Sequence, residues 1–155
     1  MEILLLNTPE GLKPCYDRDY DEKKKLVLGK MYKAKITEPR NVGFNNKYFK
    51  MIDLAWEYQN EKVCEHFKND VKRFRKTVEV AAGHCDTVFN LRTKEWVDVP
   101  KSISFEEMDE FQFRELYDKV KNVLFTVFLR DIKVEEFERC LLYTSDAADD
   151  LTRVD

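Results

Sequence analysis

Apolar residues recur at three- and four-residue steps along much of this chain and at two-residue steps elsewhere. After Pro39, the positions Phe44, Tyr48, Met51 or Ile52, Ala55 and Tyr58 trace one stripe of a long helix, with Lys47, Lys50, Asp53 and Glu57 opposite. Val63, Phe67, Val71, Phe74 and Val78 keep the same period and predict a second helix, for which Gly83 is the stop. Phe113, Leu116 or Tyr117, Val120, Val123 or Leu124, and Val127 or Phe128 predict a third. A last helix starts near Val134, and its pattern runs to Arg139.

Strand signals lie between these helices. EILLLN and LKPC flank the turn TPEG and predict a β-hairpin. Tyr20 to Leu28 suggests a short helix ended by Gly29, and MYKAKI alternates Met31, Lys33, Lys35 against Tyr32, Ala34, Ile36 as a strand would. DTVFNLRTKEWVDVPKSISF reads as a hairpin or meander, with Val88, Phe89, Leu91, Trp96, Val97 and Val99 around a polar turn at Arg92 to Lys94. Ser104 with Glu107 fits a capping box, Ile103 with Met108 fits its hydrophobic staple, and Asp109 with Gln112 repeats the spacing. The expected fold is α+β: an N-terminal hairpin, short strands and a central hairpin packed on three to four amphipathic helices.

The helical pattern fails beyond Arg139. From Thr144 onward only Ala147, Ala148, Leu151 and Val154 are apolar. CLLYTSDAADDLTRVD matches the translation of transposon-end and adapter DNA used in sequencing libraries: Cys140–Ser145 from TGTCTCTTATACACATCT and Asp146–Asp149 from GACGCTGCCGAC. Arg153, Val154 and Asp155 fit the adapter resuming beyond a short index. Residues 140–155 are therefore read as a non-native tail, and 1–139 as one natural domain truncated on its C-terminal side; a disordered acidic tail is the alternative.

Setting the tail aside changes the charge. The chain has 27 basic and 30 acidic residues; the tail holds Arg153 against Asp146, Asp149, Asp150 and Asp155, which leaves 26 of each sign. A neutral chain points to no polyanionic or polycationic partner, so electrostatic binding has to come from a local patch. Three cysteines outside the tail, Cys15, Cys64 and Cys85, fit reduced thiols better than a disulfide framework. No apolar run approaches a membrane span, and MEILLLN is too short and wrongly flanked for a signal peptide, so a soluble cytoplasmic protein with no membrane partner is expected.

Few constellations suggest chemistry. Cys64, His66, His84 and Cys85 are zinc-ligand types, yet Cys64 and His66 sit two apart on a predicted helix and diverge by roughly 200 degrees. His84 beside Cys85 has no third group to orient a thiolate nucleophile. Gly11, Gly29, Gly43 and Gly83 stand alone, so no phosphate-cradling loop and no cofactor are expected. Asp86, Glu95 and Asp98 around the hairpin keep a metal-dependent nuclease as an alternative. More suggestive is the run Lys68, Lys72, Arg75 and Lys76, with Arg73 nearby: cations at i, i+4 and i+8 on one helix could grip successive phosphates. A solvated helix face is the plain alternative, with Asp70 and Glu79 diluting the charge. Arg40, Lys47 and Lys50 would extend the surface if the two helices pack side by side.

Four stretches, NTPEGLKP, EPRNVGFNNKYFKMIDLAWEY, AGHCDTVFN and PKSISFEEMDEFQFRELYDKV, resemble an uncharacterised family carried by tailed phages and prophages. The resemblance spans residues 3–130; its most specific parts are Arg40-Asn41, with Phe44 after it, and Lys101 to Asp109, which holds Ser102, Ser104, Phe105 and Met108. Asn45 departs from the family, where His is common. Arg40 to Trp56 is also weakly similar to the NinB/Orf recombination family, which implies single-stranded DNA binding and a phage or host recombination protein as partner. Together these readings give the leading expectation: a non-catalytic phage DNA-binding accessory protein of recombination or replication in the bacterial cytoplasm, acting through Arg40, Lys47, Lys50, Lys68, Lys72, Arg75 and Lys76. A phage protein that binds a host factor through an aromatic surface is the alternative from a different class, and the nuclease is the third.

Overall fold

The computed structural model describes residues 1–147, and the fold is α+β, with two small antiparallel hairpins and six α-helices among those residues. Residues 148–155, the end of the expected non-native tail, lie outside the described residues. The chain divides into two compact units, Met1–Ile36 and Thr37 onward. No described helix is long and apolar enough to cross a membrane.

In the first unit β1 (Leu5–Thr8) and β2 (Gly11–Pro14) form the expected hairpin, in register Leu5↔Pro14 to Thr8↔Gly11. Gly11 takes φ +124°, which an L side chain rarely adopts. Helix α1 (Asp17–Lys23) follows, and the buried carboxylate of Asp19 accepts from the backbone N–H of Leu4 at 3.1 Å and of Tyr16 at 3.2 Å. The helix expected over Tyr20–Leu28 thus starts three residues earlier and ends at Lys23. The strand expected in MYKAKI does not form: residues 30–41 carry no regular structure and 31–36 are exposed. Alternation makes a strand only where a neighbour offers a ladder edge, and β1 and β2 form a sheet of two.

The second unit holds the apolar core. Helix α2 (Val42–Glu57) starts where the Asn41 side chain accepts from Phe44 N–H at 2.9 Å, and it buries Tyr48, Met51, Ile52 and Ala55 of the stripe read from the sequence, while Phe44 is half-buried and Tyr58, at the C-cap, is exposed. The next predicted helix is broken in two, α3 (Glu61–His66) and α4 (Val71–Ala81). Each half has its own N-cap, Asn60 accepting from Val63 N–H and Asp70 from Lys72 N–H. Between them Lys68 (φ 56°) and Asn69 (φ 54°) are left-handed, a conformation Asn tolerates better than most residues. The break accompanies an aromatic cluster in which Phe67 lies 5.5 Å from Phe74 and 6.3 Å from Trp56 and Phe128. Helix α4 ends as expected at Gly83 (φ 91°), with His84 N–H returning to the Glu79 carbonyl.

Strands β3 (Cys85–Asn90) and β4 (Glu95–Pro100) form the central hairpin. Of the two capping boxes, the second starts the helix: in α5 (Glu110–Val123) Asp109 accepts from Gln112 N–H at 3.0 Å while the Gln112 side chain accepts from Asp109 N–H at 3.1 Å. Ser104 nucleates only a turn, its backbone carbonyl accepting from Glu107 and Met108 N–H, though Ile103 and Met108 are buried. Asp109→Ala is expected to lower stability by about 1 kcal/mol, read as a fall in urea midpoint with unchanged slope; no change would mean the box contributes nothing.

Beyond α5 a π-helical turn, Leu124–Phe128, closes with Leu129 N–H to the Leu124 carbonyl at 2.8 Å. Helix α6 (Val134–Ala147) then packs on α2 with Phe137 and Leu141 buried. It runs eight residues past the expected end at Arg139, because Leu141 falls one turn beyond Phe137 on the same inward face.

Candidate interaction surfaces

The cationic surface expected from sequence is dispersed. With the helix broken after His66, Lys68 sits in the left-handed connection and no longer shares a continuous i, i+4, i+8 row with Lys72 and Lys76. Arg75 turns inward, 5% exposed, and donates to Glu79 at 3.0 Å over the ring of Phe49. Lys76 Nζ lies 3.7 Å from the same carboxylate, and Arg73 Nε 3.4 Å from Asp70. The cause is the carboxylates themselves: Glu79 lies four residues from Arg75 and three from Lys76, where helical side chains meet. Lys68 and Lys72 remain exposed. On α2, Lys47 and Lys50 are half-buried, and Lys47 Nζ stands 5.5 Å from the Tyr117 ring centre. Burial, then Glu138 and Asp118, pushes the Tyr117 phenol up to about 12.

Arg40 is occupied within the protein. Its Nη1 donates to the carbonyls of Ile103 (2.8 Å), Met108 (3.3 Å) and Ser104 (3.4 Å), and its Nη2 to Asn45 Oδ1 (2.6 Å). The guanidinium lies 3.7 Å from the Phe113 ring centre and 4.6 Å from that of Phe105. Desolvation lowers its pKa, and the Glu110 carboxylate opposes that shift. Glu110 is buried; its Oε1 accepts from Asn41 N–H and its Oε2 lies 3.6 Å from Arg114 Nε. The residues singled out by resemblance thus gather here: Asn41 caps α2, Phe44 packs edge-on to Phe113, the Ser102 hydroxyl accepts from Ser104 N–H, and Ser104, Phe105 and Met108 surround Arg40. This cluster holds the 101–109 segment against α2 and α5.

The nuclease carboxylates do not converge. Opposed residues of a hairpin share a face and neighbours along a strand alternate; Asp86 and Glu95 therefore fall on one face and Asp98, opposite Thr87, on the other. Asp86 pairs with Lys101 at 3.5 Å. Among the described residues no group of three or more His, Cys, Asp or Glu could hold a metal ion, and the four cysteines there are free thiols. His84 is engaged with the Ser102 carbonyl at 3.1 Å, an arrangement in which Nε2–H donates.

Two open features remain at the hairpin. At its base a polar cleft of about 680 Å³ is lined by His84, Lys101, Glu107, Glu115 and Lys119 together with the buried Met108 and Leu116. Above it both faces of β3–β4 are exposed. Asp86, Val88, Asn90, Glu95, Val97 and Val99 share one face; Thr87, Phe89, Trp96 and Asp98 share the other. Phe89 and Trp96 stack at 5.3 Å and 30°, yet are 41% and 70% exposed, and Leu91 in the turn is 87% exposed. The sequence did carry a signal for this: Val88-Phe89 and Trp96-Val97 put apolar groups on both faces, the pattern of a strand covered on both sides, and here neither side is covered.

The model of a family described as protein of unknown function, DUF1367, matches residues 59–139, slightly more than half of the chain. No curated protein and no solved structure matches. The matched span runs from the start of α3 through the hairpin and α5 into α6, so it contains both the hairpin and the segment that Arg40 clamps. The chain belongs to the DUF1367 family.

Proposed function

We propose that this chain is a non-catalytic binding protein that takes up a partner protein on the Phe89–Trp96 face of its central hairpin. The exposed stacked pair carries the reading. Large aromatics left in water are the residues that dominate protein interfaces, and a two-stranded hairpin bare on both faces is marginal by itself. The surroundings favour protein over nucleic acid: Arg92 and Lys94 in the turn are offset by Asp86, Glu95 and Asp98 along the strands, whereas a polyanion needs several cations on one face. Beyond the hairpin, exposed Lys68 and Lys72 are what is left of the expected α4 stripe.

The setting proposed with it is a phage or prophage protein acting in the bacterial cytoplasm, its partner a phage or host protein; the resemblance of the AGHCDTVFN and PKSISFEEMDEFQFRELYDKV stretches supports this. That 140–155 is adapter-encoded is supported by the end of the family match at Arg139.

Affinity purification with the full chain tests the reading. One protein retained in stoichiometric amount, insensitive to nuclease, and weakened at least roughly tenfold by Phe89→Ser with Trp96→Ser is expected; both sites are exposed, so circular dichroism should not change. Retention that is nuclease-sensitive, falls with salt and is lost in Lys68→Glu with Lys72→Glu would replace this reading with the DNA-binding one.

A further inference from the structure

Strand β3 has one strand neighbour. β4 pairs along one of its edges, with Asp86↔Val99, Val88↔Val97 and Asn90↔Glu95 in register, and among the described residues no strand joins the other edge. In an antiparallel ladder, alternate residues turn their N–H and C=O away from the partner, so this outer edge presents a row of backbone donors and acceptors. Edges are ordinarily blunted by charge, proline, bulges or a covering element. β4 has such protection: it carries Glu95 and Asp98, and it ends in Pro100. β3, CDTVFN, has Asp86 as its one charged residue and no proline.

We infer that β3 is a dimerisation strand: two copies of this chain pair β3 to β3, antiparallel, about a two-fold axis at Val88. Parity sets the register. Across a two-fold perpendicular to the sheet, opposed residues must point to the same side. Centring on Val88 sets it against Val88 of the second copy, Thr87 against Phe89, and Asp86 against Asn90. Like charges do not meet, and each Asp86 carboxylate faces an amide able to donate. Centring on Thr87 instead would set Asp86 against Val88, so that the carboxylate gains no polar partner across the seam beyond its own Lys101. The resulting four-stranded sheet carries Val88, Val97 and Val99 of both copies on one side, and Phe89 and Trp96 of both on the other. An isologous contact uses the same edge twice and so stops at two, and the β4 strands left outside are the guarded ones. The edge contact does not depend on the aromatic face finding a partner protein; it leaves that face open and doubles it.

Sedimentation equilibrium of the full chain over about a hundredfold concentration range should show mass rising from monomer to dimer and no further. Val88→Glu, at a position 51% exposed, sets two carboxylates face to face and should remain monomeric with an unchanged dichroism spectrum. Val88→Cys should give a reducible covalent dimer under mild oxidation, since directly opposed residues bring their Cα atoms to roughly 4.5–5.5 Å. Val99→Cys, on the outer strand of the same face, should not, and the native cysteines are present in both variants. A wild-type chain monomeric at every concentration, or equal cross-linking of the two cysteine variants, would overturn the inference. A monomer that still retains its partner protein sinks the dimer alone; a dimer that retains none sinks the proposed function alone.

Discussion

Glu79→Ala is expected to lower the free energy of unfolding by about 3–5 kcal/mol, the usual effect of removing one member of a buried ion pair. Glu79 is fully buried between α4 and α2, accepts from Tyr48 Oη at 2.5 Å and from Arg75 Nη1 at 3.0 Å, and has Lys76 Nζ 3.7 Å away. Alanine takes the carboxylate from a guanidinium that is itself 5% exposed and from a phenol at the centre of the core. The pair is not expected to be worth that much in absolute terms, because desolvating both charges offsets most of their attraction. Two further variants separate the effects. Glu79→Gln keeps an acceptor and loses the charge, so it should fall between wild type and Glu79→Ala. Glu79→Leu with Arg75→Met removes both charges and should recover most of the loss. Urea melts with constant slope check all three; a Glu79→Ala loss under about 1 kcal/mol would show that the cluster contributes little.

Arg40→Ala is the second large effect, about 3–4 kcal/mol, since several charge-assisted hydrogen bonds and the cation–π stacking are lost together. Four acceptors lose the guanidinium, and buried Glu110 loses a neighbouring cation. Arg40→Lys should recover little of it. A single ammonium cannot fork to three carbonyls and Asn45 while lying flat between Phe105 and Phe113. Hydrogen exchange gives a second readout: amides of residues 101–109 should lose protection while those of α4 keep theirs. Full rescue by lysine would mean that charge alone, and not the planar fork, holds the segment.

The same two residues show where sequence reading stopped. Arg40 is legible as special because an Arg-Asn pair precedes a periodic helix, and one acceptor, Asn45, is close to it in sequence; its carbonyl partners lie more than sixty positions away. Arg75 falls in a basic stripe by spacing, and Glu79 stands at i+4 from it. Whether such a pair faces solvent or core depends on which side of α4 meets α2, and the charges themselves do not say.

The apolar period from Val63 to Val78 was real, since Phe67, Phe74 and Val78 are all buried. Continuity across it was not: Asn60 and Asp70 each cap a separate helix, and a left-handed pair between them lets Phe67 reach Phe74 and Phe128. The cap at Asp109 could be read directly, because it depends on residues three apart. The strand in MYKAKI could not, because a ladder needs a neighbour from elsewhere in the chain.

By itself, then, the sequence determined what is written in short-range spacing: the two hairpin turns, the stripes of α2 and α5, the stop at Gly83, the cap at Asp109, and hence an α+β fold. Tertiary structure alone decided which charges are spent inside and which apolar groups are left outside. Arg75 and Glu79 are buried and Arg40 is half-buried against Phe113, while Phe89 and Trp96 stand in solvent, an inversion of their usual places. Local preferences act over a few residues of chain and are encoded there, whereas burial is settled by segments that meet only once the chain has folded.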